Sequence, residues 1–294
     1  MIDIGQYMDS KKNIIDLALA ERLPQSGPSI IIDAMRHSLE AGGKRLRPIL
    51  VLAAADTLGS EDGSIIEVAC ALEYIHTYSL IHDDLPAMDD SDLRRGKPSC
   101  HRVYGEALAI LAGDALLTLA FELVAKYGRK NGQERKALKI ITVLAEAAGV
   151  TGMIGGQVLD LKAEGTEPTL EEIKSIANMK TGALLRAAIL CGAIAADATP
   201  KQLDSLNIYA SNIGPAFQII DDLLDYEGTT EELGKPAGAD QTRFKATYPA
   251  LLGRTEARQR AEFLYTEALN ALDNLDCKSE LLSGLAEKMI YRTS

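Results

Sequence analysis

The sequence predicts an all-α protein, one helical domain over residues 1–294. Three observations lead there. Apolar residues recur at spacings of three and four through most of the chain. No run alternates Val, Ile, Thr and Tyr between turn residues, as a half-buried strand would. Aromatics are only 5% of the chain and Trp is absent, so Ala, Leu and Ile must form the core. Ala and Leu favour helix, whereas sheets are enriched in β-branched and aromatic residues.

The elements follow in order. Residues 65–81 set Val68, Leu72, Ile75 and Ser79 at helical spacing. Segments 107–127, 134–149, 170–196, 202–226 and 256–273 behave alike. Glycine and proline mark loops at 24–28, 42–43, 59–63, 86–98, 128–132, 165–168 and 228–238. None is long or low in complexity, so no interdomain linker is expected. Roughly ten or more helices of about a dozen residues should pack together. Residues 183–196 (ALLRAAILCGAIAA) are apolar nearly all round, which places them centrally or at a subunit interface.

Charge narrows the function. There are 31 Lys+Arg against 42 Asp+Glu, a net charge of −11. A nucleic-acid partner usually needs a basic excess, so none is expected. Cys70, Cys100, Cys191 and Cys277 form no C-x-x-C pair and are read as free thiols of a reducing compartment. The N-terminus MIDIGQYMDS has no basic or apolar signal region. No apolar run approaches the ~18 residues of a membrane span, and 182–196 is broken by Arg186. A cytoplasmic protein is the expectation.

Two acidic clusters stand out. The first, IHDDLPAMDDSDLRRG, holds Asp83, Asp84, Asp89, Asp90 and Asp92 directly after an apolar helix. The second, FQIIDDLLD, holds Asp221, Asp222 and Asp225, with Asp221 and Asp225 on one helix face. A single charge run is usually a solvated loop or helix end. Two of the same design, each following apolar residues, point instead to bound cations, because unpaired buried carboxylates are costly. Hard carboxylate oxygens suit Mg²⁺, which typically takes one or two of them plus substrate phosphates. The sequence carries no zinc-type His/Cys spacing, calcium loop or P-loop.

Basic residues accompany the acidic ones. Gly42-Gly43-Lys44-Arg45-Leu46-Arg47-Pro48 sets three cations behind a glycine pair. Arg94-Arg95 follows the first cluster and Gly234-Lys235-Pro236 the second, with Lys180 and Lys245 elsewhere. Any one of these alone is an ordinary surface charge. Beside the carboxylates of an acidic chain, they are candidates for phosphate binding.

These segments resemble the trans-prenyl diphosphate synthases. YSLIHDDLPAMDDSDLRRGKPSCH is similar to the family's first aspartate-rich motif, FQIIDDLLD followed by LGKPAGAD to its second, and GGKRLRP to a substrate-binding segment. The resemblance covers about residues 40–255 and is nearest to bacterial members making the fifteen-carbon farnesyl product. It implies a helical bundle around a deep central cavity, of the isoprenoid synthase type, and a homodimer. It implies three Mg²⁺ ions, or Mn²⁺ in their place, on Asp83, Asp89 and Asp221, with Asp84, Asp222 and Asp225 in support. Arg94, Lys180, Lys235 and Lys245 would contact an allylic diphosphate, dimethylallyl or geranyl. Lys44, Arg47, His76 and Arg95 would bind isopentenyl diphosphate. Thr181 and Gln218 match polar positions near the reacting carbons. Ser91 departs from relatives that carry another Asp there.

Product length is expected to depend on Tyr78 and Ser79, about one turn below Asp83 on its helix. In the family the chain grows downward from the aspartates, and a bulky residue at that level stops it. The alternatives are a geranylgeranyl diphosphate synthase, a class I terpene cyclase, or a non-catalytic partner subunit. A cyclase lacks the GGKRLRP segment, and a non-catalytic chain would be free to lose either charged set.

Overall fold

The computed structural model describes residues 2–130, 132–227 and 247–292. In chain order the helices are α1 (Ile4–Glu21), α2 (Ser29–Leu39), α3 (Leu46–Thr57), α4 (Ile65–Asp83), α5 (Cys100–Tyr104), α6 (Glu106–Lys130) and α7 (Glu134–Ala148). They continue with α8 (Met153–Ala163), α9 (Leu170–Ile176), α10 (Ala183–Ala195), α11 (Pro200–Glu227), α12 (Tyr248–Leu252), α13 (Arg254–Leu272) and α14 (Glu280–Ile290). The all-α class is borne out. The chain divides into two compact units: Gly5–Leu52 with Asp62–Ile141, and mainly the chain from Thr142 onward.

In the first of these units α4 is the central element. It buries residues on every side, from Ile65, Val68 and Leu72 to Tyr74, Ile75, Tyr78 and Ile81. It packs along α6, which turns Ala109, Ala112, Gly113, Leu116 and Ala120 inward. Small residues allow the approach: a Cβ on Gly113 would stand 2.2 Å from His82 Nε2.

In the other unit α10 is buried on most sides, as its sequence suggests. The single helix expected over 170–196 is interrupted. After α9, which opens on a Thr169/Glu172 capping box, Ala177–Gly182 form a π-helical turn that leads into α10. This turn lies against α8 so closely that a Cβ on Gly156 would be 2.2 Å from the Lys180 backbone nitrogen. Such turns insert a residue and re-aim side chains, often at functional sites. Lys180 and Thr181 lie in it.

The loop expected over 86–98 holds a small antiparallel ladder, β1 (Leu93–Arg94) with β2 (Lys97–Pro98). Arg95 and Gly96 join the strands with φ of 54° and 76°. Positive φ at both central residues is the type I′ hairpin signature, which two-residue strands are too short to announce by alternation.

By length and composition alone, α6 and the stretch Glu134–Ala163 are apolar enough to cross a membrane, contrary to the expectation. Within the protein α6 is a core helix, with Leu116, Leu119, Leu123 and Val124 all buried.

Candidate active site

Helix α4 ends at Asp83, and the chain then folds back on its last turn. The Leu85 N–H donates to the His82 carbonyl at 3.2 Å, and Met88 and Asp90 donate to the Leu85 carbonyl at 2.9 and 3.0 Å. Asp90 takes a positive φ of 45° to allow this. The Asp89 N–H then reaches the Asp83 carbonyl at 2.8 Å, and Ser91 reaches Asp84 at 3.1 Å. Six positions of sequence separation thus become direct adjacency. Asp83 and Asp89 keep partly exposed side chains.

Asp84 is different. It is 2% exposed and receives Arg94 Nε at 3.1 Å on both carboxylate oxygens, with Arg94 Nη2 on Oδ1. Burial pushes the Asp84 carboxyl above its ordinary value even against the pull of Arg94. Burial works against the Arg94 charge too, but the hydrogen bonds and charge of Asp84 outweigh it, so Arg94 stays a cation.

The basic segment is held from two sides. From inside, Arg45 is 4% exposed, at a φ of 49°. Its Nε donates to Asp16 Oδ1 at 2.7 Å, Nη1 to Glu73 Oε1 at 2.7 Å and Nη2 to the Leu39 carbonyl at 2.6 Å. From outside, the hairpin clamps it. Arg95 Nη1 donates to the Gly42 carbonyl, and Lys97 Nζ to the Glu40 carbonyl at 2.8 Å. Gly43, at a φ of 128°, makes room: a Cβ there would meet the Arg95 guanidinium at 2.4 Å. Lys44 is exposed and Arg47 half-buried at the start of α3.

His76 sits on α4 among these cations. Burial first, then the charges of Arg47, Arg95, Arg94 and Arg45, hold its imidazole well below the ordinary histidine value. Of the predicted residues, Arg47, His76, Arg94 and Arg95 are therefore brought within electrostatic reach of one another. Two positions below His76, Tyr78 is 5% exposed, and its hydroxyl has no hydrogen-bond partner among the described residues. Burial, with the charges of Asp83 and Asp114, pushes that phenol up to about 12. The Ser79 hydroxyl turns back to the His76 carbonyl at 2.8 Å.

The second cluster separates its carboxylates in the same manner. On α11, Asp222 is 8% exposed and accepts from Gln218 Nε2 at 2.7 Å and from the Tyr248 N–H at 3.3 Å. Asp225 is buried, whereas Asp221 is exposed and receives Arg292 Nη2 at 2.8 Å. Lys180 Nζ donates to Asp160 Oδ2 at 2.6 Å, and Thr181 beside it is half-buried. Lys235 and Lys245 lie outside the described residues.

Three groups at these sites were not assigned from sequence: the anchor Arg45, Asp160 opposite Lys180, and Arg292. Arg45 was visible within GGKRLRP, but nothing local distinguishes it from its basic neighbours. Asp160 and Arg292 carry no sequence signal, since their meaning lies in partners 20 and 71 positions away.

Among the described residues no three His, Cys, Asp or Glu side chains converge into a preformed metal cage. The carboxylates nonetheless fit Mg²⁺, which keeps waters and takes one or two carboxylates together with phosphate oxygens. Asp83 and Asp89, paired through their backbone and partly exposed, offer that donor set. A cavity of about 580 Å³ lined by Glu21, Arg22, Glu67, Leu119 and Lys126 includes none of the predicted site residues.

Residues 28–285 match the family model described as "Polyprenyl synthetase". The chain is 44% identical over 292 residues to a farnesyl diphosphate synthase of Geobacillus stearothermophilus, covering 99% of this chain and 98% of that one. It is 46% identical over 289 residues to a geranylgeranyl diphosphate synthase of Cyanophora paradoxa, covering 98% and 96%. A solved FPP/GFPP synthase of Zymomonas mobilis superposes with a TM-score of 0.85 at 37% identity, over 99% of each chain. Motifs, helical architecture and near full-length identity agree, and the chain belongs to the polyprenyl synthetase family.

Proposed function

We propose that this prenyltransferase joins isopentenyl diphosphate head-to-tail to dimethylallyl or geranyl diphosphate and releases farnesyl diphosphate and pyrophosphate. The observation that carries this reading is the arrangement at the end of α4. Asp83 and Asp89 are drawn together and left accessible, while Asp84 is committed to Arg94. Asp83 and Asp89 are the ligands for two Mg²⁺ ions and Asp221 for a third, with Mn²⁺ as a substitute. When bound, the cations supply charge neutralisation of the departing diphosphate.

The remaining chemistry belongs to the chain and its substrates. Arg94, Lys180, Lys235 and Lys245 hold the allylic diphosphate. Lys44, Arg47, His76 and Arg95 hold isopentenyl diphosphate, and the neutral His76 donates a hydrogen bond without adding charge to four arginines. The allylic C–O bond breaks with its electron pair on the diphosphate. The isopentenyl double bond attacks the allylic carbon, and the proton lost from the adduct goes to the released pyrophosphate. Thr181 and Gln218 face the reacting carbons. An apolar pocket that excludes water protects the cation from hydrolysis, and Tyr78 with Ser79 limits its depth.

The family model crosses both compact units, which supports one functional domain over 1–294. A cytoplasmic homodimer without a nucleic-acid partner completes the reading. The Cyanophora relative, named for the twenty-carbon product, keeps geranylgeranyl diphosphate as the second reading. Incubation of purified protein with isopentenyl diphosphate, each starter and Mg²⁺, followed by chromatography of the dephosphorylated products, distinguishes them. Fifteen-carbon alcohol supports the proposal, twenty-carbon alcohol the second reading, and no product refutes both.

A further inference from the structure

Arg292 follows the last turn of α14, whose C-terminal Tyr291 N–H donates to the Glu287 carbonyl at 2.9 Å. Tyr291 packs edge-on against Tyr265 of α13 at 5.6 Å. That anchor delivers the Arg292 side chain, 12% exposed, onto the face of α11. The guanidinium lies over the Phe217 ring at 4.2 Å, and Nη2 meets Asp221 Oδ1 at 2.8 Å. Phe217 and Asp221 are one helical turn apart, so a single cation engages both. Arg292 Nε is buried with no partner among the described residues, a cost that the ion pair and the aromatic contact must offset. Asp222 and Asp225 of the same cluster are buried, so Arg292 selects the one accessible carboxylate.

We propose that Arg292 is a positioning residue, a built-in counter-ion that occupies Asp221 while no divalent cation is bound and yields it when cation and diphosphate arrive. The inference rests on the reading of Asp221 as a cation ligand. A cation on either oxygen draws on the same carboxylate charge that holds the guanidinium, so loading the site should weaken the Arg292 contact and loosen the end of α14. The stacked Phe217 ring gives the displaced guanidinium a place to remain, close to the site and out of the way.

The test uses the full chain, Mn²⁺ and inorganic pyrophosphate, with no turnover. Mn²⁺ binding is measured by electron paramagnetic resonance at saturating pyrophosphate for the parent, Arg292→Gln and Arg292→Lys. Arg292→Gln should bind the last cation about two- to fivefold more tightly, the size of one partly exposed ion pair, and Arg292→Lys should stay near the parent. Hydrogen exchange at residues 287–292 of the parent should quicken on adding Mn²⁺ and pyrophosphate. Unchanged or weaker binding by Arg292→Gln, or slower exchange on loading, overturns the proposal and makes Arg292 a bystander or a direct diphosphate ligand. Asp221→Asn separates the two readings. If it loses no cation, the assignment of Asp221 is wrong and both fall. If it loses one while Arg292→Gln behaves as the parent, only the counter-ion falls.

Discussion

The Asp89 N–H donates to the Asp83 carbonyl oxygen at 2.8 Å, so the backbones of two aspartates six positions apart meet at the end of α4. Asp84, between them in sequence, is turned inward onto Arg94. Asp83 and Asp84 should therefore fail differently. Asp83→Ala should lower kcat by roughly two to three powers of ten, because charge stabilisation made in the transition state is lost, while stability changes by only about 0.5 kcal/mol. Asp84→Ala should instead cost about 1.5 kcal/mol in urea unfolding, since it removes the buried carboxylate that a partly exposed Arg94 is bonded to. Equal stability losses for the two variants would contradict this division.

Gly43 tests the hairpin clamp. Gly42 and Gly43 both have positive φ, but a Cβ on Gly42 meets open space and one on Gly43 meets Arg95. Gly43→Ala should displace the guanidinium and raise KM for isopentenyl diphosphate on the order of tenfold, or ~1.4 kcal/mol. Gly42→Ala should show backbone strain alone, a lower melting temperature with a smaller change in KM. Steady-state kinetics with each substrate varied in turn would expose any failure.

His76 provides a pH signature. Its pKa in the folded protein is lowered, so the unfolded chain binds a proton that the folded chain refuses. Its contribution to stability is fully present above about pH 6.5 and is lost progressively as pH falls from there through the lowered folded-state value. Urea midpoints should decline more steeply below pH 6.5 for the parent than for His76→Gln. In proton NMR titrations, inorganic pyrophosphate should move the imidazole transition upward, because a bound anion offsets the arginine charges. An unmoved transition would place the diphosphate elsewhere.

Tyr78 separates packing from product control. Its hydroxyl is buried without a partner among the described residues, so Tyr78→Phe should be neutral or slightly stabilising and leave the product unchanged. Tyr78→Ala removes the ring and should lengthen the product by about one five-carbon unit if the ring is the pocket floor, by the rule that a void takes what fits it. Unchanged chain length from a folded Tyr78→Ala protein would move the floor to another residue.

Helical class, both aspartate clusters and the glycine-backed cations were legible in the chain because each is a local pattern. A 3.6-residue period and a run of carboxylates are complete within one segment, whatever surrounds it. Helices over 65–81, 107–127, 134–149, 202–226 and 256–273 appear within a few residues of those spans. The π-helical turn that carries Lys180 was not legible, because it arises where α8 presents Gly156 to the backbone of the next helix.

What only the tertiary structure decided is which of several identical side chains does what. Asp83 and Asp84 are neighbours of the same type, yet one is accessible and the other is 2% exposed. Arg45 is chosen as the anchor, over Lys44 and Arg47, by Asp16 and Glu73 on other helices. Asp221, rather than Asp222 or Asp225, is paired with an arginine 71 positions away. The sequence by itself determined the helical elements and the charged groups available to them. Burial and charge pairing depend on groups far apart in the chain, and those come within range only when the helices pack.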